Sequence, residues 1–234
     1  MALAGSQSRS PAGLTEKVRV PLGVPAYFGP WERDCWGGLL ADVPSVVVLN
    51  PDNGPGRIPS PDYRALCELL RKRGTRTLMY VHTGYLSRDV ADIAVDAERA
   101  LSWFGVDGVF FDEVPVDNTR PTLSKLDRLA DLSSAACTFN SGRVVPERWY
   151  SRFATATFVT FEGTPQQFES RFRVGSRPTV AGPPDRQWWL MHSAPLRTHR
   201  SYWNLFHELG LGHAYVTNDR LPNPWDAYVS PRYR

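Results

Sequence analysis

Short β-branched or aromatic runs alternate along this chain with longer stretches whose apolar residues recur at helical spacing. The run Ser45-Val46-Val47-Val48-Leu49-Asn50 is apolar at every inner position, the pattern of a strand covered on both faces in a parallel sheet. Comparable runs fall at 18–24, 77–82, 107–112, 136–140, 156–162, 187–192 and 214–218. Between them the spacing predicts helices over 61–74, 87–104, 122–135, 165–173 and 199–209. The first of these has Ser60 placed as its N-cap, Pro61 in its first turn and Gly74 as its stop. In the second, Val90, Ile93, Ala94, Ala97 and Leu101 share one face. Strands alternating with helices imply parallel pairing through right-handed crossovers. Eight such strands in 234 residues predict a single α/β domain, a (β/α)8 barrel of the TIM type over 18–234, behind a leader over 1–17. A doubly wound open sheet is the alternative, since periodicity does not show closure. No Gly-rich dinucleotide or phosphate loop follows any strand, which counts against those cofactors, and no cofactor is expected.

Composition narrows the picture. The chain is 42% hydrophobic and 22% charged, enough apolar surface for a real core. Its net charge of +3 comes from arginines spread along the chain, without a dense basic run or a zinc-finger or RNA-binding signature, so nucleic acid is not an expected partner. Cys35, Cys67 and Cys137 are far apart and odd in number, which suggests neither a zinc site nor a disulfide framework. No run approaches the length of a membrane span. The leader also lacks the apolar core of a signal peptide, and on that ground the chain is expected in the cytoplasm.

The candidate chemistry lies where the strands end. These ends carry Asn50, His82, Asp112 with Glu113, Asn140, Glu162, His192, and Asn218 with Asp219. In a barrel all of them meet at one face, where the loops between strand and helix build the site. Successive strand residues point to opposite sides, so one of Asp112 and Glu113 is expected to project fully into the mouth. Glu162 would face it from two strands further round. Two opposed carboxyl groups are what glycosidic cleavage uses, one protonated to donate to the leaving oxygen, the other ionised as nucleophile or base. Phe110, Phe111, Phe158 and Phe161 nearby would separate their pKa values by desolvation. The segment from His207 to His213 superficially suggests a zinc helix, but its histidines are six apart with Gly210 and Gly212 between them, so no metal site is assigned.

Six segments, taken in order, resemble spherulation-specific family 4, the spherulin-4-like proteins. They are NPDNGPG from Asn50, YVHTGY from Tyr80, VDGVFFDEV from Val106, FNSG from Phe139, TFE from Thr160 and YVTNDRLPNPWD from Tyr215. The resemblance implies a barrel and a glycoside hydrolase acting on an amino-sugar polysaccharide. The implied activity is the endo-α-1,4-N-acetylgalactosaminidase type, directed at galactosaminogalactan-like polymers. The family's Asp-Glu pair and later Glu fall on Asp112, Glu113 and Glu162 as the catalytic set. Tyr27, Asn50, His82, Tyr85, Asn140, His192 and Asp219 would line the mouth and bind the polysaccharide or oligosaccharide, with rings such as Trp31 packing on sugar faces. Two departures stand out: Leu86 replaces a family glycine while Arg88 is kept, and the family's Asn-Pro-Gly reads Asn140-Ser141-Gly142. Family members are commonly secreted or attached to a surface, which gives a second expectation for location. The rival to a hydrolase is a carbohydrate-binding barrel of the same family without turnover.

Overall fold

A computed structural model of the chain describes residues 20–133, 136–174, 177–178 and 180–231. The leader expected over 1–17 lies outside the described residues. Eight of the strands are short and parallel: β1 (Gly23–Ala26), β2 (Val46–Leu49), β3 (Arg76–His82), β4 (Gly108–Asp112), β5 (Cys137–Asn140), β6 (Thr157–Gly163), β9 (Gln187–Met191) and β10 (His213–Val216). They pair in that order. A parallel bridge between Leu22 and Ala214, with the Ala214 amide donating to the Pro21 carbonyl at 3.1 Å, brings the last strand back to the first. The sheet is thus the expected (β/α)8 barrel. Between β6 and β9 a two-stranded antiparallel ribbon, β7 (Arg173–Val174) and β8 (Arg177–Pro178), stands apart from it.

Among the described residues seven α-helices surround the sheet: α1 (Arg33–Asp42), α2 (Pro61–Lys72), α3 (Val90–Arg99), α4 (Arg120–Leu132), α5 (Glu147–Arg152), α6 (Pro165–Phe172) and α7 (His199–Glu208). Side-chain oxygens start three of them. Ser60 accepts from the Tyr63 amide, Asp89 from Ala91 and Thr119 from Thr122, each satisfying an amide that the first helical turn leaves free. The helix expected from residue 87 therefore begins at Val90, and it ends in a π turn over Ala100–Phe104. Two helices have no counterpart in the periodicity. α1 carries Gly37 and Gly38 and lacks a side-chain cap, while α5 spans only six residues. The first strand is also displaced along the chain, to Gly23–Ala26 in place of 18–24.

The core has two layers. Within the ring, Tyr80 stacks on Phe110 at 6.5 Å and Phe110 meets the edge of Trp188 at 5.7 Å. Outside it, Phe111, Phe139 and Phe158 pack together with Trp149, Tyr150 and Phe153. Strand alternation then carries the inward side of Phe110 to Asp112, and that of Thr138 to Asn140.

β6 breaks this alternation in a way that matters for the site. Phe158 packs outward on Trp149 and Tyr150, and Phe161 packs outward on Phe168, Phe172 and Trp189. Two residues three apart share a side only because the register with β9 shifts between Val159 and Phe161. Thr160 takes up this bulge, its hydroxyl donating to Gln187 Oε1 at 2.7 Å and accepting from Trp189 Nε1 at 2.8 Å. The extra residue turns Glu162 inward, whereas an unbroken strand would leave it on the side of Phe158.

Candidate active site

At the end of β4 the backbone separates two adjacent acids. Glu113 has φ of 57°, in the left-handed region, so it leaves the strand's alternation. Its Oε2 accepts from the Gly84 amide at 3.1 Å and lies 3.8 Å from His82 Nδ1, and its carbonyl accepts from the Thr83 hydroxyl at 2.8 Å. Glu113 therefore faces the loop after β3. Asp112 faces the other way, toward β5 and β6.

The centre of that second cluster is Asn140. Its Oδ1 accepts from the Gly142 amide at 2.9 Å, which fixes the amide's orientation and leaves Nδ2 to the acids. Nδ2 lies 2.7 Å from Asp112 Oδ1 and 2.7 Å from Glu162 Oε2. These two carboxylate oxygens are therefore no further apart than twice that distance. Trp225 Nε1 donates to the other Glu162 oxygen, Oε1, at 3.3 Å. Trp225 lies beyond β10 and is held by the Tyr27 amide, which donates to its carbonyl at 3.0 Å, while its ring meets those of His192 and Tyr215. The Tyr80 hydroxyl hydrogen-bonds Asp112, and Tyr27 sets its ring against Tyr80 at 5.5 Å.

Burial dominates the electrostatics. It raises the Glu162 carboxyl to about 7, helped by the charge of Asp112 and opposed by the N–H groups of Asn140 and Trp225. The Asp112 carboxyl is likewise raised, first by burial and then by the charge of Glu113. Hydrogen bonds from the Glu113 backbone, Tyr80 and Asn140 act against that rise. Two acids so close and sharing one donor titrate as a pair. Tyr80 and Tyr27 are pushed well above an ordinary phenol, chiefly by burial, so both remain hydrogen-bond donors. One carboxyl holding a proton near neutrality beside a second carboxylate is an arrangement suited to proton transfer at a bond placed between them.

The other residues expected at the mouth have varied settings. His192 is buried, its pKa lowered by burial, with Nδ1 3.0 Å from the hydroxyl of Ser193, itself left-handed at φ 57°. Asp219 offers its carbonyl to the Ser193 amide at 2.7 Å, and its carboxyl is raised by burial and then by Asp226. Asn50 turns its side chain to the Gly54 amide at 2.9 Å, which builds the following turn. Tyr85 is 69% exposed and Trp31 73% exposed, and no hydrogen bond or ion pair among the described residues ties either to the acids. Tyr80 and Trp225 were not singled out by the sequence. Tyr80 lies two residues before His82 and so shares its side of β3, a signal that was available. Trp225 sits in a proline-rich segment, where a tryptophan ordinarily reads as packing.

Comparison with known proteins agrees with this architecture. Spherulin-4 of Physarum polycephalum is 30% identical over 104 residues, 42% of this chain. The aligned part is 31% of that protein, so the match spans about a third of the relative's length. The spore cortex-lytic enzyme SleL of Bacillus cereus has the same fold, with a TM-score of 0.52 and 10% identity over 97% of this chain and 76% of that one. So does the 4-hydroxy-tetrahydrodipicolinate synthase of Methylacidiphilum fumariolicum, with a TM-score of 0.51 and 13% identity over 85% and 67%. At such identities the likeness is one of fold. The sequence pattern of spherulation-specific family 4 matches residues 22–231, nearly the whole barrel, and the chain belongs to that family.

Proposed function

We propose that the protein is a glycoside hydrolase of amino-sugar polysaccharides, with Glu162 as proton donor and Asp112 as its ionised partner. The observation that carries this reading is the Asn140 amide nitrogen, 2.7 Å from both carboxyl groups at the barrel mouth. Glu162, raised to about 7, holds a proton near neutrality and passes it to the bridging oxygen as the bond to the anomeric carbon breaks. Asp112 stabilises the cationic sugar, either by bonding to the anomeric carbon or by orienting the substrate's acetamido oxygen to do so. Water then attacks the anomeric carbon on the face the leaving group vacated, breaking its bond to Asp112 or to the acetamido oxygen, and gives a proton back to Glu162. The limit on the separation of the carboxylates favours retention, which uses a spacing of roughly 5–5.5 Å, over inversion at roughly 6.5–9.5 Å. Glu113, anchored to Gly84 beside His82, shapes the neighbouring wall. The family resemblance points to α-linked N-acetylgalactosamine as the sugar.

Incubation with acetylated and deacetylated α-linked galactosamine oligomers tests this directly. Shortened chains with an initial α-anomer in proton NMR are expected. Asp112→Asn and Glu162→Gln should each lower turnover on the order of a hundredfold or more without lowering the melting temperature at neutral pH. Oligomers that bind without being shortened would make this a carbohydrate-binding barrel. Full turnover in both variants would place the chemistry elsewhere.

A further inference from the structure

We infer that the half of the barrel rim opposite the carboxyl groups is a track that binds several successive sugars of a polymer, an inference that rests on the glycoside hydrolase reading and deepens it. The four most exposed large apolar side chains among the described residues are Ile58 at 79%, Trp31 at 73%, and Tyr85 and Leu221 at 69%. They stand in the loops that follow β2, β1, β3 and β10. These strands are neighbours in the ring, in the order β10, β1, β2, β3. All four loops leave their strands at the end where Asp112 and Glu162 lie, the face on which a barrel binds its substrate. Asp112, Asn140 and Glu162 occupy β4, β5 and β6 across the mouth.

The two aromatic rings of this arc are built into place. A Cβ added at Gly29 would lie 2.3 Å from Trp31 Cε2 and Cζ2, so the indole rests where any other side chain at that position would stand. Tyr85 lies between Gly84 and Leu86 in three successive left-handed residues, with φ of 59°, 53° and 60°. The turn is pinned on both sides of Tyr85. The Gly84 amide donates to Glu113 Oε2 at 3.1 Å, and Lys125 Nζ donates to the Leu86 carbonyl at 2.8 Å. Left-handed backbone is costly for a residue with a side chain. Leu86 offsets that cost by burial, whereas Tyr85 faces solvent and gains no packing from it. Strain of this kind is expected where a ligand uses the side chain. The arc is also continuous with the carboxyl groups at both ends. The Tyr85 loop holds Glu113, next to Asp112, and the Leu221 loop leads to Trp225, which donates to Glu162. Exposed Asn53 and Arg220 stand among the apolar groups. Apolar platforms interleaved with hydrogen-bonding side chains suit a polymer whose sugars each have a C–H face and a rim of hydroxyls. A protein partner would need one contiguous apolar patch.

The test separates binding from turnover. Calorimetry in the Glu162→Gln background measures binding of α-linked N-acetylgalactosamine oligomers from dimer to octamer, and affinity should rise with length. Trp31→Ala and Tyr85→Ala should each weaken octamer binding about tenfold, the loss expected when one ring's apolar contact is removed, with little change for the dimer. Gly29→Ala, which displaces the indole without deleting it, should match Trp31→Ala. Val95→Ala removes an exposed apolar group from α3 and should bind as its parent does. Octamer affinity no higher than the dimer's, undiminished in any of the three rim variants, or equally reduced in Val95→Ala would overturn the track. Turnover of the octamer by wild-type protein decides the hydrolase reading separately. Oligomers held by both rings but never shortened would refute the hydrolase and support the track, while shortening indifferent to both rings would refute the track alone.

Discussion

At the scale of single residues, Glu162 and Leu86 pose opposite problems. Glu162 is ionisable yet held where its neutral form is favoured, its folded-state value near 7 against an ordinary 4.5. Below pH 4.5 folded and unfolded chains both keep the proton. Between 4.5 and 7 the unfolded chain loses it first, so the contribution to stability declines as pH rises, then levels off. The melting temperature of Glu162→Gln relative to wild type should therefore climb across that window. Parallel melting curves from pH 4.5 to 7 would show that the group is not raised. Leu86 stands where the family has glycine, and its φ of 60° shows why glycine suits the position. Its side chain is nevertheless 5% exposed, within the outer core around Val81, Val90 and Phe111. Left-handed backbone costs about 1–2 kcal/mol, while removing a buried leucine side chain costs about 2–5 kcal/mol. Leu86→Gly should thus lower the melting temperature although it relieves the backbone, and a rise would mean that strain outweighs packing. His82, Asp112, Asn140 and Glu162 were legible as strand-end residues. The left-handed turn at Glu113 was not, because nothing in Asp-Glu-Val marks which acid will leave the strand's alternation.

At the scale of elements, the bulge in β6 decides where the second carboxyl points. Parity counted from Phe158 places Glu162 outward, and the extra residue at Thr160 reverses it. The bulge is held by two hydrogen bonds to β9, from Thr160 to Gln187 and from Trp189 to Thr160. Thr160→Val keeps the shape but leaves both partners unsatisfied. It should cost about 1–3 kcal/mol in denaturant unfolding and lower turnover through the misplaced Glu162. A variant that lost stability but kept full turnover would detach the bulge from the site. The helices show a similar division. α2 announces itself by its cap and apolar spacing, whereas α1, with paired glycines, forms because its Trp36 and Leu39 have a sheet to bury against.

At the scale of the whole molecule, the last described segment fastens the barrel. Trp225 reaches Glu162, and further on Tyr228 and Ser230 donate to Asp42 at the end of α1 at 2.7 and 2.5 Å. The Val229 amide donates to the Tyr215 hydroxyl at 2.9 Å. This strap spans the place where the last strand meets the first, which among the described residues is joined by the bridge from Leu22 to Ala214. Asp42→Ala should therefore lower the melting temperature, by about 1–3 kcal/mol of unfolding free energy, and loosen Trp225 at the site. Unchanged melting would mean that closure does not depend on the strap. The family motif from Tyr215 to Asp226 was visible in the sequence. Its role was not, because the contacts join residues as far apart as Asp42 and Ser230.

What the sequence by itself determined is the alternation of strand and helix, the parallel sheet it implies, and the acids at strand ends. Each follows from periods of two and 3.6 residues and from local caps, which short-range sterics set. Closure through Leu22 and Ala214, the inward turn of Glu162 and the sharing of Asn140 were decided only by tertiary structure. These depend on register between strands distant in sequence, and a shift of one residue moves a side chain to the other face of the sheet.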